Sequence, residues 1–284
     1  MQDYFESIIV PLDFGPRTSA VIKQAYIFGQ LMNCDIVLQY VYDPTTEKSS
    51  DSIAETEARL QQLVKTAVEK YNLNFHPYMC IGDITNSIVN FAKDNYAKMI
   101  IMGNQSSSDS RGTSFDQIGD NTNKIVREAE CPVLTISSEI IYDLDKILLP
   151  LDLGKAIGKK LDWAIYFSRF FGCIVKVITI TDSLEESRKG KYDEKMHSVK
   201  SMLNDSNVFC TTEILIKQDQ SILESKMIID YSKQNDCDMI MIMTRQETKQ
   251  KDINMGRTAS AVIGLSEKPV ISITPNIKSE MSKR

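Results

Sequence analysis

The sequence predicts an α/β protein built from two similar doubly wound domains, each a five-stranded, mainly parallel sheet flanked by helices. Three observations lead there. The first is length: 284 residues with 42% apolar and 25% charged side chains are enough for two separate cores. The second is an internal duplication. "VPLDFG" (Val10–Gly15) returns as "LPLDLG" (Leu149–Gly154), and Pro150 minus Pro11 is an offset of 139. "CDIVLQYVYD" from Cys34 returns as "CIVKVITITD" from Cys173 at 139, "SIVNFAK" from Ser87 as "MIIDYSK" from Met227 at 140, and "CPVLTI" from Cys131 as "KPVISI" from Lys268 at 137. Four matches in the same order make two copies of one unit, residues 1–138 and 144–284, joined near "SSEIIYDLD".

The third observation is the alternation of elements within a copy. "SIIVPLD" is a short β-branched run ended by Asp-Phe-Gly-Pro, a buried strand and its turn. "RTSAVIKQAYIFGQLM" spaces Val21, Ala25, Phe28 and Leu31 or Met32 as one helical face. "DIVLQYVYD" is a second strand, and the amphipathic "SIAETEARLQQLVKTAVEKYN" is a helix closing at Asn72. "FHPYMCIG", "TNSIVNFAKDNY", "KMIIMG", "TNKIVREAE" and "PVLTI" then read strand, helix, strand, helix, strand. The order β-α-β-α-β-α-β-α-β calls for parallel strands with helices on both faces, and right-handed crossovers leave few topologies. Each closing strand would leave an apolar edge, so the copies are expected to pack as a pseudo-two-fold pair with "PVLTI" and "PVISI" adjacent and antiparallel.

In such sheets a ligand binds beyond the carboxyl ends of the strands. Those ends carry Asp13, Val41, Gly82 and Gly103 in the first copy. In the second they carry Asp152, Ile180 and Thr244, with a third strand ending near Lys217. Asp13 has two readings, a hydrogen-bond acceptor for a ribose or a former of the turn Phe14-Gly15-Pro16. Gly103 and Gly119 bracket the loop "MGNQSSSDSRGTSFDQIGDN", where glycines would let backbone N–H groups approach phosphate and a following helix would offer its positive end.

Other chemistry is excluded by pattern. "GKAIGKK" has three residues between its glycines where a Walker A loop has four, and Lys160 stands where a magnesium-binding hydroxyl belongs, so it reads as the basic start of a helix. There is no G-x-G-x-x-G and no G-x-S-x-G, and His76 and His197 occupy different places in the two copies. No triad and no metal centre are expected. The six cysteines form no C-x-x-C pair and read as buried thiols, and the methionines of "DMIMIMT" as core filling. Net charge is −5 with no basic stretch, which argues against nucleic acid. With no long apolar span and no signal-peptide pattern, a cytoplasmic protein with no membrane association is expected.

The segments "IIVPLD" and "IMGNQ…IGDNTNKIVREAECPVLTI", echoed by "ILLPLD" and "MIMT…MGRTASAVIGLSEKPVISI", resemble the universal stress protein family in tandem form over nearly the whole chain. The resemblance implies a five-stranded parallel sheet, pairing through last strands, and ATP bound by G-x-x-G, nine residues, then G-[ST]. The aspartate after the first strand and the backbone at the end of the second, matching Asp13 and Val41, would hold adenosine. The implied binding residues here are Pro11, Asp13, Val41, Gly82, Met102, Gly103, Gly119, Asp120 and Asn121.

The phosphate end departs from that pattern. Ser106 stands at the second glycine, Gly119 follows Gly103 by sixteen residues instead of thirteen, and Asp120 replaces Ser or Thr. In the second copy Thr244 and Glu247 replace the loop glycines and Arg257 follows Gly256. A carboxylate roughly 5 Å from a phosphate charge costs about 1 kcal/mol in a watery site and about 3 kcal/mol at an effective dielectric near 20. A lost hydroxyl bond adds roughly 1.5–3 kcal/mol, on the order of a hundredfold in all. Gly112, Arg111 and Lys124 are the residues placed to offset part of this.

The expectation is a non-catalytic stress-response protein with an adenine-nucleotide-type site in the first copy, taking ATP, AMP or adenosine weakly, and a lapsed site in the second. The alternative is an ATP-binding enzyme with slow hydrolysis or phosphotransfer, which lacks a visible base and a metal-binding carboxylate pair. An electron-transfer or adenylating protein would need flavin-specific residues that do not stand out. "SSSDSRGTS" reads as a solvated loop, or as a phosphorylation site. Beyond intrachain pairing, a further homodimer and protein partners are left open.

Overall fold

Why each strand forms is plain from its side chains. β1 (Ser7–Leu12) carries Ile8, Ile9 and Val10 in succession, all buried, as a strand covered on both faces requires. The computed structural model describes residues 6–45, 52–104, 118–137, 139–181, 186–219, 221–244 and 255–274. It divides into two compact units, Met1–Tyr142 and Asp143–Arg284.

In the first unit β1 is followed by α1 (Thr18–Met32), β2 (Asp35–Tyr42), α2 (Ile53–Tyr71), β3 (Phe75–Ile81), α3 (Ile84–Asp94), β4 (Met99–Gly103), α4 (Asp120–Glu128) and β5 (Val133–Ile136). The strands are parallel in the order β3-β2-β1-β4-β5. Local chemistry sets the helix ends. Ser52 and Glu55 form a reciprocal capping box at the start of α2, with Ser52 N–H to Glu55 Oε2 at 2.7 Å and Glu55 N–H to Ser52 Oγ at 3.2 Å. Leu60, Val64 and Ala67 form its buried stripe, and Asn72 in the left-handed region ends it. α1 ends in the same way at Asn33.

The second unit repeats the plan with β6 (Lys146–Pro150), α5 (Gly158–Phe171), β7 (Ile174–Thr181), α6 (Glu186–Asp205), β8 (Cys210–Ile216), α7 (Glu224–Gln234), β9 (Met239–Met243), α8 (Arg257–Leu265) and β10 (Val270–Ile273). Its order is β8-β7-β6-β9-β10, again parallel. In both units the chain turns one way after the first strand and the other way after the fourth. The crevices between β1 and β4, and between β6 and β9, are therefore the topological switch points.

The segment read from sequence as a joint packs on the first unit. Gln24 of α1, fully buried, donates from Nε2 to Ile141 O at 3.1 Å and accepts from Ile141 N–H at 2.7 Å. The cysteines are free thiols; Cys34, Cys131, Cys173 and Cys237 are buried, Cys80 and Cys210 half-buried. Burial pushes the Cys131 and Cys173 thiols up to about 12.

Candidate functional site

The first crevice is assembled from four strand ends. Pro11 lies at the end of β1 opposite Gln39 of β2, and Asp13 follows it, exposed. Asp13 Oδ1 accepts the N–H of Gly15 at 2.8 Å, so one carboxylate oxygen closes its own turn. A Cβ at Gly15 would stand 2.8 Å from that oxygen, so a side chain there would push the carboxylate out of the turn. Between them Phe14 is held at φ 52°, stacks on Tyr40 with centroids 4.8 Å apart, and lies 4.4 Å from the Arg59 guanidinium. Beside this turn a cleft of about 360 Å³ is lined by Phe14, Thr18, Arg59, Gln62, Leu63 and Thr66.

Met102 and Gly103 end β4, paired with Thr135 and Ile136 of β5. The strand is continued by Asn104, 2% exposed, whose N–H donates to Ile136 O at 3.1 Å and whose Oδ1 accepts from Arg17 Nη1 at 3.0 Å. Gly119 caps α4, and its N–H donates to Asn104 O at 3.3 Å. Thr122 Oγ1 donates to Gly103 O at 3.4 Å. The two ends of the loop are thereby clasped together, and the amide of Gly119, expected to face phosphate, is spent on a carbonyl. Asp120, exposed, and Asn121, half-buried, open α4. Ser106, Arg111, Gly112 and the serine-rich stretch lie outside the described residues, as does Glu247.

Val41 is buried near the end of β2, opposite Cys80. Gly82 extends β3 by one bond, N–H to Tyr42 O at 3.0 Å, at φ 154°, where side chains are strained. Pro11, Asp13, Met102, Gly103 and the start of α4 thus share the β1–β4 crevice, while Val41 and Gly82 lie one and two strands away. Arg17 and Asn104 were not singled out by sequence; their bond spans 87 residues and leaves no local signal.

Register corrects one equivalence. The sequence echo sets Thr244 against Gly103, but Thr244 N–H donates to Ile273 O and Gly256 N–H to Thr244 O, the bonds made by Asn104 in the first unit. Thr244 therefore matches Asn104, and Met243, buried opposite Ile273, matches Gly103. The repeated "IM" misaligns the pair by one residue. By the same criterion Lys217, whose N–H donates to Thr181 O at 2.8 Å, is the counterpart of Gly82.

Around the second crevice the Asp152 turn is preserved, with Gly154 N–H to Asp152 Oδ1 at 2.9 Å. Lys155 Nζ reaches Asp152 Oδ2 at 2.7 Å. Burial pushes the Asp152 carboxyl up, yet the Lys155 bond, the Gly154 N–H and the charges of Lys155 and Lys160 outweigh it and hold the group below its ordinary value. Lys195 of α6 donates to Leu153 O at 2.7 Å. Arg257 opens α8 where Asp120 opens α4.

His76 meets Asp35 at 2.9 Å at the starts of β3 and β2, the end of the strands opposite the first unit's crevice. Among the described residues no group of three or more His, Cys, Asp and Glu could hold a metal ion. No described helix is long and apolar enough to cross a membrane.

A doubly wound domain with a switch-point crevice, present twice, is the class these features define. A model of the universal stress protein family matches residues 5–137. The match covers the first unit, just under half of the chain, and the second unit repeats that unit's strand order. A universal stress protein of Methanocaldococcus jannaschii is 23% identical over 145 residues, 48% of this chain and 84% of the relative. The crystal structure of a universal stress protein from Archaeoglobus fulgidus is similar over 94% of this chain and 96% of its own, with a TM-score of 0.71 and 15% identity. A universal stress protein structure from Pseudomonas aeruginosa gives 0.70 over 96% and 94% at 19% identity. At these identities the structural likeness speaks for the fold.

Proposed function

We propose that the protein is a non-catalytic stress-response protein whose first unit binds the adenosine part of an adenine nucleotide and gains little from its phosphates. Adenosine would be held by Pro11, Asp13, Val41, Gly82, Met102 and Gly103, with Asn121 beside the phosphate end. The observation that carries this reading is Asp120, an exposed carboxylate in the first turn of α4, directly after a glycine whose amide is spent on Asn104 O. The helix still directs its positive end toward an anion, but that fixed carboxylate answers it first. A phosphate brought there meets like charge and finds no hydroxyl donor at that position, for a loss on the order of a hundredfold.

Calorimetry with adenosine and ATP on the unmodified protein and on Asp120→Ser tests this. Adenosine should bind both proteins alike. The serine should raise ATP affinity by roughly tenfold, equivalent to about 1.4 kcal/mol. No gain for ATP would remove Asp120 from the account.

A further inference from the structure

The strands β3 and β8 differ in whether their free edge can accept another strand. Each lies at one end of its unit's strand order, and among the described residues no strand lies on the outer side of either. Register makes the two comparable. Phe75 pairs with Ile36 and Cys210 with Val175, and Ile36 and Val175 are related by the offset of 139. Phe209, Thr211, Thr212 and Glu213 are therefore the counterparts of Asn74, His76, Pro77 and Tyr78.

In the second unit Val175 N–H donates to Phe209 O at 2.9 Å and Lys217 N–H to Thr181 O at 2.8 Å. Odd-numbered residues of β8 thus bond to β7, and the N–H and C=O of Cys210, Thr212, Ile214 and Ile216 point to the open edge. In the first unit Ile36 N–H donates to Asn74 O and Gly82 N–H to Tyr42 O, both at 3.0 Å. Pro77 accordingly occupies an edge-facing position of β3, where it has no N–H to offer another strand. At the same position β8 has Thr212, with its donor intact.

The side chains along the two edges differ in the same sense. Asn74 Nδ2 donates to Asp35 Oδ1 at 3.0 Å and His76 meets Asp35, so the start of β3 is polar. At the start of β8 Phe209 is 81% exposed, and Ile174, in place of Asp35, is exposed beside it. Further along β8, Thr211 and Glu213 are exposed on the face that carries Phe209. Glu213 is held there by Tyr231, whose hydroxyl donates to Glu213 Oε2 at 2.8 Å.

We infer that the free edge of β8 pairs antiparallel with β8 of a second copy of the chain, about a two-fold axis at Thr212. Edge-facing residues then meet one another: Thr212 exchanges N–H and C=O bonds with its own copy, and Cys210 does so with the partner's Ile214. On the exposed face Phe209 covers the partner's Leu215, and Thr211 sets its hydroxyl opposite the partner's Glu213. An axis at Glu213 would put two carboxylates against each other, which like charges on facing strands disfavour. The edge is thus complementary to itself, as an interface between identical copies requires.

Analytical ultracentrifugation of the full chain over a wide concentration range tests this. The unmodified protein should pass from monomer to dimer as concentration rises. Thr212→Pro gives β8 the residue that β3 already carries, and should abolish the dimer while leaving the far-UV circular dichroism unchanged. Thr211 meets a partner's Glu213 on both sides of the axis. Thr211→Lys should therefore tighten dimerisation by about fivefold, and Thr211→Glu should weaken it by about as much. A chain that is monomeric at every concentration, a dimer that survives Thr212→Pro, or Thr211→Lys and Thr211→Glu acting alike would each overturn the proposal.

Discussion

The two units share one strand order and differ in the residues around the crevice at its switch point. At the first crevice an aromatic pair flanks the turn, a part-buried Asn104–Arg17 bond braces the loop base, and Asp120 opens the last helix. At the second, aliphatic side chains flank the turn, Thr244 braces the loop base, and Arg257 opens the last helix. Asp13 and Asp152 make the same bond to a glycine amide in both. The conserved aspartate is thus a feature of the turn first, and whatever ligand each crevice takes is decided by the residues around it.

Exchanging the braces should give the largest effect. Asn104→Thr removes the acceptor for Arg17 in a part-buried setting, a charge-assisted bond, and should cost about 2 kcal/mol in chemical denaturation. Thr244→Asn has no Arg17 counterpart to satisfy, so it should bring no equivalent gain. Equal and opposite effects would mean that the two loop bases are interchangeable.

A smaller effect is expected at the ends of β3 and β8. Gly82→Ala places a side chain at φ 154° and should destabilise by about 1 kcal/mol, with Ser87 Oγ 3.3 Å away able to turn aside. Lys217→Gly should leave stability nearly unchanged while removing a positive charge at the end of β8. Thermal melts of the pair measure the contrast.

The smallest effect is a pH dependence in the second unit. The Asp152 carboxyl is held below its ordinary value of 3.8, so its contribution is present above that value and is lost as pH falls through the depressed folded-state value. The pair with Lys155 is about half exposed, which limits it to roughly 0.5 kcal/mol. Asp152→Asn should therefore lower the melting point slightly at pH 6 and leave it unchanged well below pH 3. A difference that persists in acid would place the effect in the turn geometry and not in the charge.

Much of the fold is legible in the sequence because its strands are buried on both faces. "SIIVPL" and "MIIMG" read as unbroken apolar runs, and Ser52, Glu55 and Asn72 mark the ends of α2 by short-range chemistry. The candidate binding residues are legible as strand ends, but their partners are not. The Arg17–Asn104 and Gly119–Asn104 bonds are set by strand register and loop closure, which no local pattern encodes. Register also decides that Met243, and not Thr244, replaces Gly103, a difference of one residue that flips a side chain to the other face of the sheet. "GKAIGKK" is legible as a basic helix start; that Lys195 of α6 joins it at the Asp152 turn requires the fold.

The central claim, that the first crevice takes the adenosine part of a nucleotide and gains little from its phosphates, is tested most directly by backbone amide chemical-shift mapping of the full chain with adenosine and with ATP. Both ligands should shift Asp13, Gly15, Gly82 and Gly103, and ATP should add little at Gly119 to Thr122. Strong additional shifts at Gly119 to Thr122 with ATP, or no shift at the Asp13 turn with adenosine, would contradict it.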